Sequence, residues 1–287
     1  MVSLSECIPW MTVGLAESVA IVTLNLCTII VFITNRNLRK RSTYLVINLA
    51  VIDMFVGGFV GYDLFYWTGV ICNLWKWQSN EYGTFIFIQV LSWLFIVGSL
   101  TNIAIIALER LHATFLPFRH RVLKKWVYGL IIAFVWVISG LTSISFSLLF
   151  LFEKIQYAFY LKLTFMSICL LIICVCYTSI VIKVRCGAQP QHHGAASRER
   201  KLTMTLLIVT VVSLLLCLPY VVFFFAGFSK REIFWSTPIH VVFTMIFLFY
   251  ANSLVNPILY AIRMPEYRSA FLAFFRRRAQ QQRQVAV

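Results

Sequence analysis

The stretch KWVYGLIIAFVWVISGLTSISFSLLF, Lys125–Phe150, decides the architecture. Beyond its first residue it carries no ionised side chain. About 20 apolar residues, at about 1.5 Å each along a helix, cross the hydrocarbon core of a bilayer. A chain inside lipid must satisfy its own backbone hydrogen bonds, which leaves helices or a closed barrel. A barrel strand needs only about 10 residues and alternates apolar with polar side chains. This stretch is longer and does not alternate, so it reads as a membrane-spanning helix.

Six further stretches read the same way. The seven spans are Thr12–Thr34, Ser42–Trp67, Gly83–Leu111, Lys125–Phe150, Gln156–Arg185, Ser197–Gly227 and Trp235–Ile262. Only Glu153 and Lys154 separate the fourth from the fifth, so that loop must be very short. The composition agrees: 61% of residues are hydrophobic and 12% charged. A soluble domain has about 45–50% and about 25%, and no soluble fold of this length hides so much apolar side chain. The fold class is an all-α membrane protein, a seven-helix bundle. No soluble domain, repeat or long linker is evident.

The net charge of +15 has a local explanation. Arg36, Arg39, Lys40 and Arg41 fill the first loop; Arg110, Arg119, Arg121, Lys124 and Lys125 the third. Lys183, Arg185, Arg198, Arg200 and Lys201 fill the fifth; the tail has Arg263, Arg268, Arg276, Arg277, Arg278 and Arg283. These are 20 of the 25 bases. Lys76, Lys154, Lys162, Lys230 and Arg231 remain for the opposite side. The positive-inside rule then puts the N-terminus outside and the C-terminus in the cytoplasm. It also accounts for the charge without a nucleic-acid partner. No basic segment precedes the first span, which is expected to act as a signal anchor. The loop Gly187–Ala196 holds His192 and His193; with no further ligand close in sequence, a solvated loop is expected rather than a metal site. No N-glycosylation sequon is present.

Polar groups inside spans are costly, and each is a functional hypothesis. Asn25 lies in the first span and Leu49-Ala50-Val51-Ile52-Asp53 in the second. The third ends in Glu109-Arg110-Leu111, followed by Pro117 and Phe118. Trp136 lies in the fourth, Tyr177 in the fifth and Pro219 in the sixth. The seventh contains Asn252-Ser253-Leu254-Val255-Asn256-Pro257-Ile258-Leu259-Tyr260. In this order, one set per span, these residues resemble the rhodopsin-like class of G protein-coupled receptors from Asn25 to about Phe275.

The resemblance implies a division into an extracellular N-terminus (1–11), a receptor domain (12–262), and an amphipathic eighth helix with cytoplasmic tail (263–287). It implies a heterotrimeric G protein as partner, arrestin and inner-leaflet lipids as further partners, and residence in the plasma membrane. Asp53, Ser99, Asn252, Ser253 and Asn256 would form a polar cage that holds a sodium ion in the family's inactive state. A protonated Asp53 in a plain hydrogen-bond network is the other reading. Arg110 would pair with Glu109 and with Glu199 at the base of the sixth helix, a latch whose release frees Arg110 for the G protein; a snorkelling arginine is the alternative. Pro219 and Pro257 bend their helices, which lets Tyr177 and Tyr260 meet near Arg110 in the active state. Past the seventh span, Tyr267, Ala270, Phe271 and Phe274 recur at helical spacing, as on a helix lying along the inner leaflet. No cysteine follows to carry a palmitoyl anchor. The last residues, Val285-Ala286-Val287, read as an inert tail, with strand addition to a PDZ-like domain as the alternative.

The departures bear on subtype. The family's cysteine at the outer end of the third helix is Phe85 here, and its partner in the second outer loop is missing too. The remaining outward cysteines, Cys7 and Cys72, are open to a disulfide, which persists outside the cell. The family's switch tryptophan is Cys217, which leaves ligand dependence open, up to a constitutively active receptor. Tyr250 replaces the lysine of opsins, so retinal is excluded as cofactor. Ser92 replaces the aspartate of aminergic receptors. The missing third-helix cysteine, short second outer loop and fifth helix without proline are similar to melanocortin, cannabinoid and sphingolipid receptors. An outer pocket is expected from Asp63, Gln89, Ser92, Trp93, Tyr220, Phe224 and Tyr250, with Asp63 meeting a cationic or donor group of the ligand or serving a structural role. No metal triad, nucleophile constellation or phosphate loop points to an enzyme. A seven-span transporter would be expected to show inverted repeats, and a light-driven pump a lysine in the seventh span; neither feature is present.

Overall fold

The computed structural model describes residues 4–38, 42–75, 82–186, 195–229, 236–263 and 265–274. The elements are α1 (Leu4–Thr34), a 3-10 turn (Arg36–Leu38), α2 (Thr43–Ile71), α3 (Tyr82–Phe115), the short α4 (Pro117–Val122), α5 (Lys125–Leu151), α6 (Ile155–Cys186), α7 (Ala195–Ser229), α8 (Ile239–Arg263) and α9 (residues 265–274). Seven of them are long. Among the described residues six are long and apolar enough to cross a membrane, and α7 contributes the shorter apolar stretch Val211–Gly227. The loop between α5 and α6 is only Phe152–Lys154, with Glu153 in the left-handed region (φ 57°).

Composition sets which helix lies where. On α5 the large apolar residues Leu130, Phe134, Val137, Leu141, Ile144 and Leu148 are exposed and recur every three or four positions, a stripe for lipid. Its opposite face carries Ser139, Ser143 and Ser147, all buried. Lipid gives apolar helices no hydrophobic reason to associate, so small residues and interhelical hydrogen bonds decide their packing. Ser143 donates to the Val90 carbonyl of α3, and the serine stripe brings α5 against α3. That makes α3 the axis: 78% of its most apolar window is buried, against 22% for α5.

The same rule joins α1 to α2. A Cβ at Gly57 would lie 2.9 Å from Ile21 Cγ2, and one at Gly61 would overlap Ser18. Farther along, Asn48 Nδ2 donates to Asn102 Oδ1 (2.9 Å) and Asn102 Nδ2 to the Leu45 carbonyl (2.9 Å). Trp136 Nε1 donates to Asn48 Oδ1 (3.1 Å), which fastens α2, α3 and α5 at one level.

The helix that holds the first span, Thr12–Thr34, starts before it: α1 begins at Leu4, within the N-terminal segment 1–11. Two contacts explain it. Cys7 and Cys72 form a disulfide (Cα–Cα 6.1 Å), and Trp10 stacks on Phe243 and Phe247 of α8. Similarly, α2 runs to Ile71 and α3 from Tyr82 to Phe115, past the apolar limits that defined their spans. The loop residues 187–194 with His192 and His193, and the tail from 275 onward, lie outside the described residues.

Candidate functional site

Three clusters lie along α3. At mid-bundle, Asp53 of α2 is fully buried. Ser99 Oγ of α3 donates to its Oδ1 at 2.6 Å, and Ser253 Oγ of α8 to the same oxygen at 2.8 Å. Asn256 Nδ2 donates to Oδ2 at 2.9 Å. Asn25 Nδ2 supports this cluster from α1 by donating to the Ser253 carbonyl (3.0 Å). Three of the four residues expected around Asp53 thus touch it. Asn252 is buried, and no hydrogen bond joins it to Asp53. The side-chain oxygens of Asn252 and Asn256 are both buried without a hydrogen-bond partner. Such orphans are uncommon in a native interior.

At one end of α3, Glu109 and Arg110 are both buried, and Glu109 Oε2 lies 2.6 Å from Arg110 Nε in an ion pair without hydrogen-bond geometry. The other carboxylate oxygen of Glu109 meets His120 Nε2 of α4 at 2.7 Å and accepts from the Tyr128 hydroxyl of α5 at 3.2 Å. Pro117 is the first residue of α4, where its missing N–H costs no hydrogen bond, and Phe118 beside it is 82% exposed. Tyr177 and Tyr260 are buried. The Glu199 side chain lies outside the described residues, so its pairing with Arg110 does too. His120 and Tyr128 were missed by the sequence reading. Neither stands in a recognisable motif; the packing of α4 against α3 brings His120 to Glu109, and that of α5 brings Tyr128.

At the other end a cavity of about 650 Å³ opens between α2, α3, α5, α6, α7 and α8. Gln89, Trp93, Tyr220, Phe224 and Tyr250, five of the seven expected pocket residues, line it. Ser92 does not: it is 3% exposed and packed within the bundle beside Trp93. Asp63 belongs to α2, and its side chain lies outside the described residues. Phe85, at the position where the sequence reading found the family's third-helix cysteine missing, lines the cavity and meets Phe150 of α5 (ring centroids 6.1 Å apart).

One cavity residue was missing from the expected pocket. Lys162 was counted among the bases of the outer side, but it lies seven residues inside α6, about 10 Å along the helix, and is 7% exposed. Its Nζ donates to the Tyr220 hydroxyl at 2.7 Å and sits 3.8 Å from the Trp93 ring centroid. An ionisable residue at such depth was the available signal.

Between cavity and Asp53, Cys217 of α7 is 1% exposed. Pro219 and Pro257 lie within α7 and α8. Beyond α8, Tyr267 of α9 is buried and hydrogen-bonded to Thr28 of α1 at 2.8 Å.

A family model described as 7 transmembrane receptor (rhodopsin family) matches residues 24–260. The chain belongs to that family. It is a G protein-coupled receptor, and a multi-pass membrane protein. A histamine H2 receptor of Canis lupus familiaris is 28% identical over 269 residues, spanning 84% of this chain and 72% of that protein. One of Rattus norvegicus is 29% identical over 313 residues, spanning 94% and 82%. A substance-K receptor of Mus musculus is 24% identical over 302 residues, spanning 93% and 75%. Within this receptor family the present chain departs at Phe85 and Cys217, both now placed in ring-lined or buried surroundings.

Proposed function

We propose that this receptor binds an extracellular ligand in the cavity around Trp93 and transmits its presence through α3 to a heterotrimeric G protein at the Arg110 end. One observation carries the reading. The single helix α3 supplies Gln89 and Trp93 to the cavity, Ser99 to Asp53, and the Glu109–Arg110 pair. A shift of α3 against its neighbours is felt at all three. The orientation, in the plasma membrane with the Cys7–Cys72 end outside, rests on the distribution of bases and on the persistence of disulfides outside the cell.

Asp53 and its neighbours fit a sodium ion. The cluster offers hard oxygen donors, the kind small hard cations prefer, and the orphaned oxygens of Asn252 and Asn256 lack another partner. Asp53, Ser99 and these two asparagines would hold the ion, which supplies the positive charge that balances Asp53 in the inactive state. In that state Glu109 and Glu199 restrain Arg110, and α9 lies along the inner leaflet. Arrestin would approach the same end as the G protein.

Histamine is not carried over from the relatives named for it. Ser92 stands where aminergic receptors keep their aspartate, and it does not line the cavity.

The test is nucleotide exchange on G proteins in membranes from expressing cells, at matched surface expression and first without ligand. Arg110→Ala is expected to remove coupling, and Glu199→Ala to raise basal exchange several-fold. Exchange unchanged in both variants would overturn the reading.

A further inference from the structure

A second, smaller crevice adjoins the cavity. It measures about 10 Å³ and lies between α1, α2 and α8, with Glu17, Ser18, Val56, Gly57 and Gly61 in its lining. Leu64 and Tyr250 line both spaces, so the two meet at these side chains.

Glu17 is the acid of this crevice. It stands five residues inside the apolar span that begins at Thr12, about 7.5 Å along the helix, and is half-buried. Among the described residues none supplies it with a hydrogen bond or an ion pair. The hydroxyl of its neighbour Ser18 donates to the Gly57 carbonyl of α2 instead. An acid at membrane depth without a partner is costly, and acids kept there mark binding sites or ion paths. The helices leave no slack to close over it. A Cβ at Gly14 would lie 3.0 Å from Phe247 Cε1, and one at Gly57 2.9 Å from Ile21 Cγ2. The room left is that of about one water molecule. A primary ammonium is of similar size and brings three N–H donors to a carboxylate. A trimethylammonium is larger and brings none. Glu17 is also set apart from Lys162: α1 packs on α2 and α8, whereas α6 packs on α3, α5 and α7.

We propose that Glu17 is an anionic subsite of the ligand cavity, and that the ligand is a primary amine whose ammonium enters the crevice past Tyr250 while its apolar body occupies the cavity. The acid comes from α1 and not from α3, where Ser92 stands. This rests on the cavity being the ligand site.

The test uses three probes on one scaffold: 4-(biphenyl-4-yl)butan-1-amine, its N,N,N-trimethylammonium analogue and the corresponding alcohol. Binding is read as thermal stabilisation of purified full-length receptor in choline buffer at neutral pH, with no G protein present. The amine is expected to stabilise the wild type, with the other two at least about tenfold weaker. Glu17→Gln should remove the advantage of amine over alcohol, and Asp63→Asn should keep it. If Glu17→Gln does not fold, Glu17→Asp decides, since the shorter acid should weaken the amine and leave the alcohol unchanged. Equal binding of amine and alcohol, a trimethylammonium as strong as the amine, an advantage that survives Glu17→Gln, or no binding of the amine at millimolar concentration would each overturn the proposal. Stabilisation by sodium alone that Glu17→Gln abolishes would assign the crevice to a metal ion and overturn it as well. Basal G protein coupling is measured separately. Coupling without amine binding overturns the amine subsite alone, whereas amine binding in a receptor that never couples leaves the subsite standing and overturns the coupling reading.

Discussion

The half of the bundle from Asp53 to Arg110 is held by hydrogen bonds between small polar groups, whereas the half from Trp93 to the Cys7–Cys72 disulfide is a bowl of aromatic rings around one ammonium. Around Asp53, three donors from α3 and α8 converge within 2.6–2.9 Å. Lys162 donates a hydrogen bond to the Tyr220 hydroxyl and faces several rings. Hydrogen bonds are directional, so the inner half tolerates few alternatives at each position. Ring packing is less directional, and many combinations of side chains enclose a similar volume. The half from Asp53 to Arg110 therefore keeps the family's residues, and the half around the cavity is where this chain differs.

That contrast implies that covalent closure matters most where packing is least specific. The disulfide ties residues 65 apart in sequence, joining α1 to the end of α2. Replacing both cysteines, Cys7→Ser with Cys72→Ser, is expected to cost about 2–4 kcal/mol. The check is the melting temperature of purified receptor. Basal nucleotide exchange should stay close to wild type, because the bridge lies at the far end from Arg110. An unchanged melting temperature would show that Trp10 on Phe243 and Phe247 holds the outer end unaided, and the comparison would fail there.

The next effect sharpens the inner half. Asp53→Asn removes the negative charge from a cluster whose donors are aimed at it, a change worth about 1.5–3 kcal/mol for hydrogen bonds to a charged group. If the cluster holds sodium, basal exchange in the wild type falls as sodium replaces choline at constant ionic strength, and Asp53→Asn abolishes that dependence. Any agonist found should likewise bind more weakly as sodium rises. A wild type indifferent to sodium would leave the hydrogen-bond network as the whole role of Asp53.

The same contrast explains what was legible in the sequence. Asp53, Arg110, Pro219 and Asn256-Pro257 stand in short local patterns at fixed spacing, and the seven apolar runs announce themselves by length. A seven-helix receptor could be read from those alone. The cavity could be read only in part, because it is assembled from six helices and no short motif records it. Gln89, Trp93, Tyr220, Phe224 and Tyr250 were found; Ser92 was not separated from Trp93, its neighbour on the helix that turns into the bundle instead. Lys162 lay inside the span Gln156–Arg185 but was used only in the count of bases on the opposite side, and no short motif marks it as a cavity residue. His120 was lost because a six-residue helix after Pro117 leaves little periodicity to detect, and Tyr128 because it is one aromatic residue inside an apolar span. The turns of α1 ahead of its apolar span carry no such run, and Cys7 and Trp10 tie them to Cys72 and to the rings of Phe243 and Phe247.

The smallest expected effect lies at the seam between α9 and the bundle. The Tyr267 hydroxyl meets Thr28 Oγ1 at 2.8 Å, and its ring lies 5.3 Å from Phe32 and 6.3 Å from Tyr260. Burial pushes the Tyr267 phenol above its usual range, with the Thr28 hydrogen bond opposing. The phenol thus keeps its proton throughout the physiological range, and the contact is insensitive to pH there. Tyr267→Phe removes the hydroxyl and keeps the ring stacked on Phe271. Thr28 retains its bond to the Leu24 carbonyl at 2.8 Å, so little is left unsatisfied. The expected cost is about 0.5–1.5 kcal/mol, read as faster amide exchange over residues 265–274 with little change elsewhere. Thr28→Val should cost about the same, and the double variant no more than either, because both remove one bond. Additive costs would mean that Tyr267 and Thr28 act separately and that ring packing alone seats α9. The polar character ascribed to the inner half would then stop at Tyr260 and not extend to the helix beyond it.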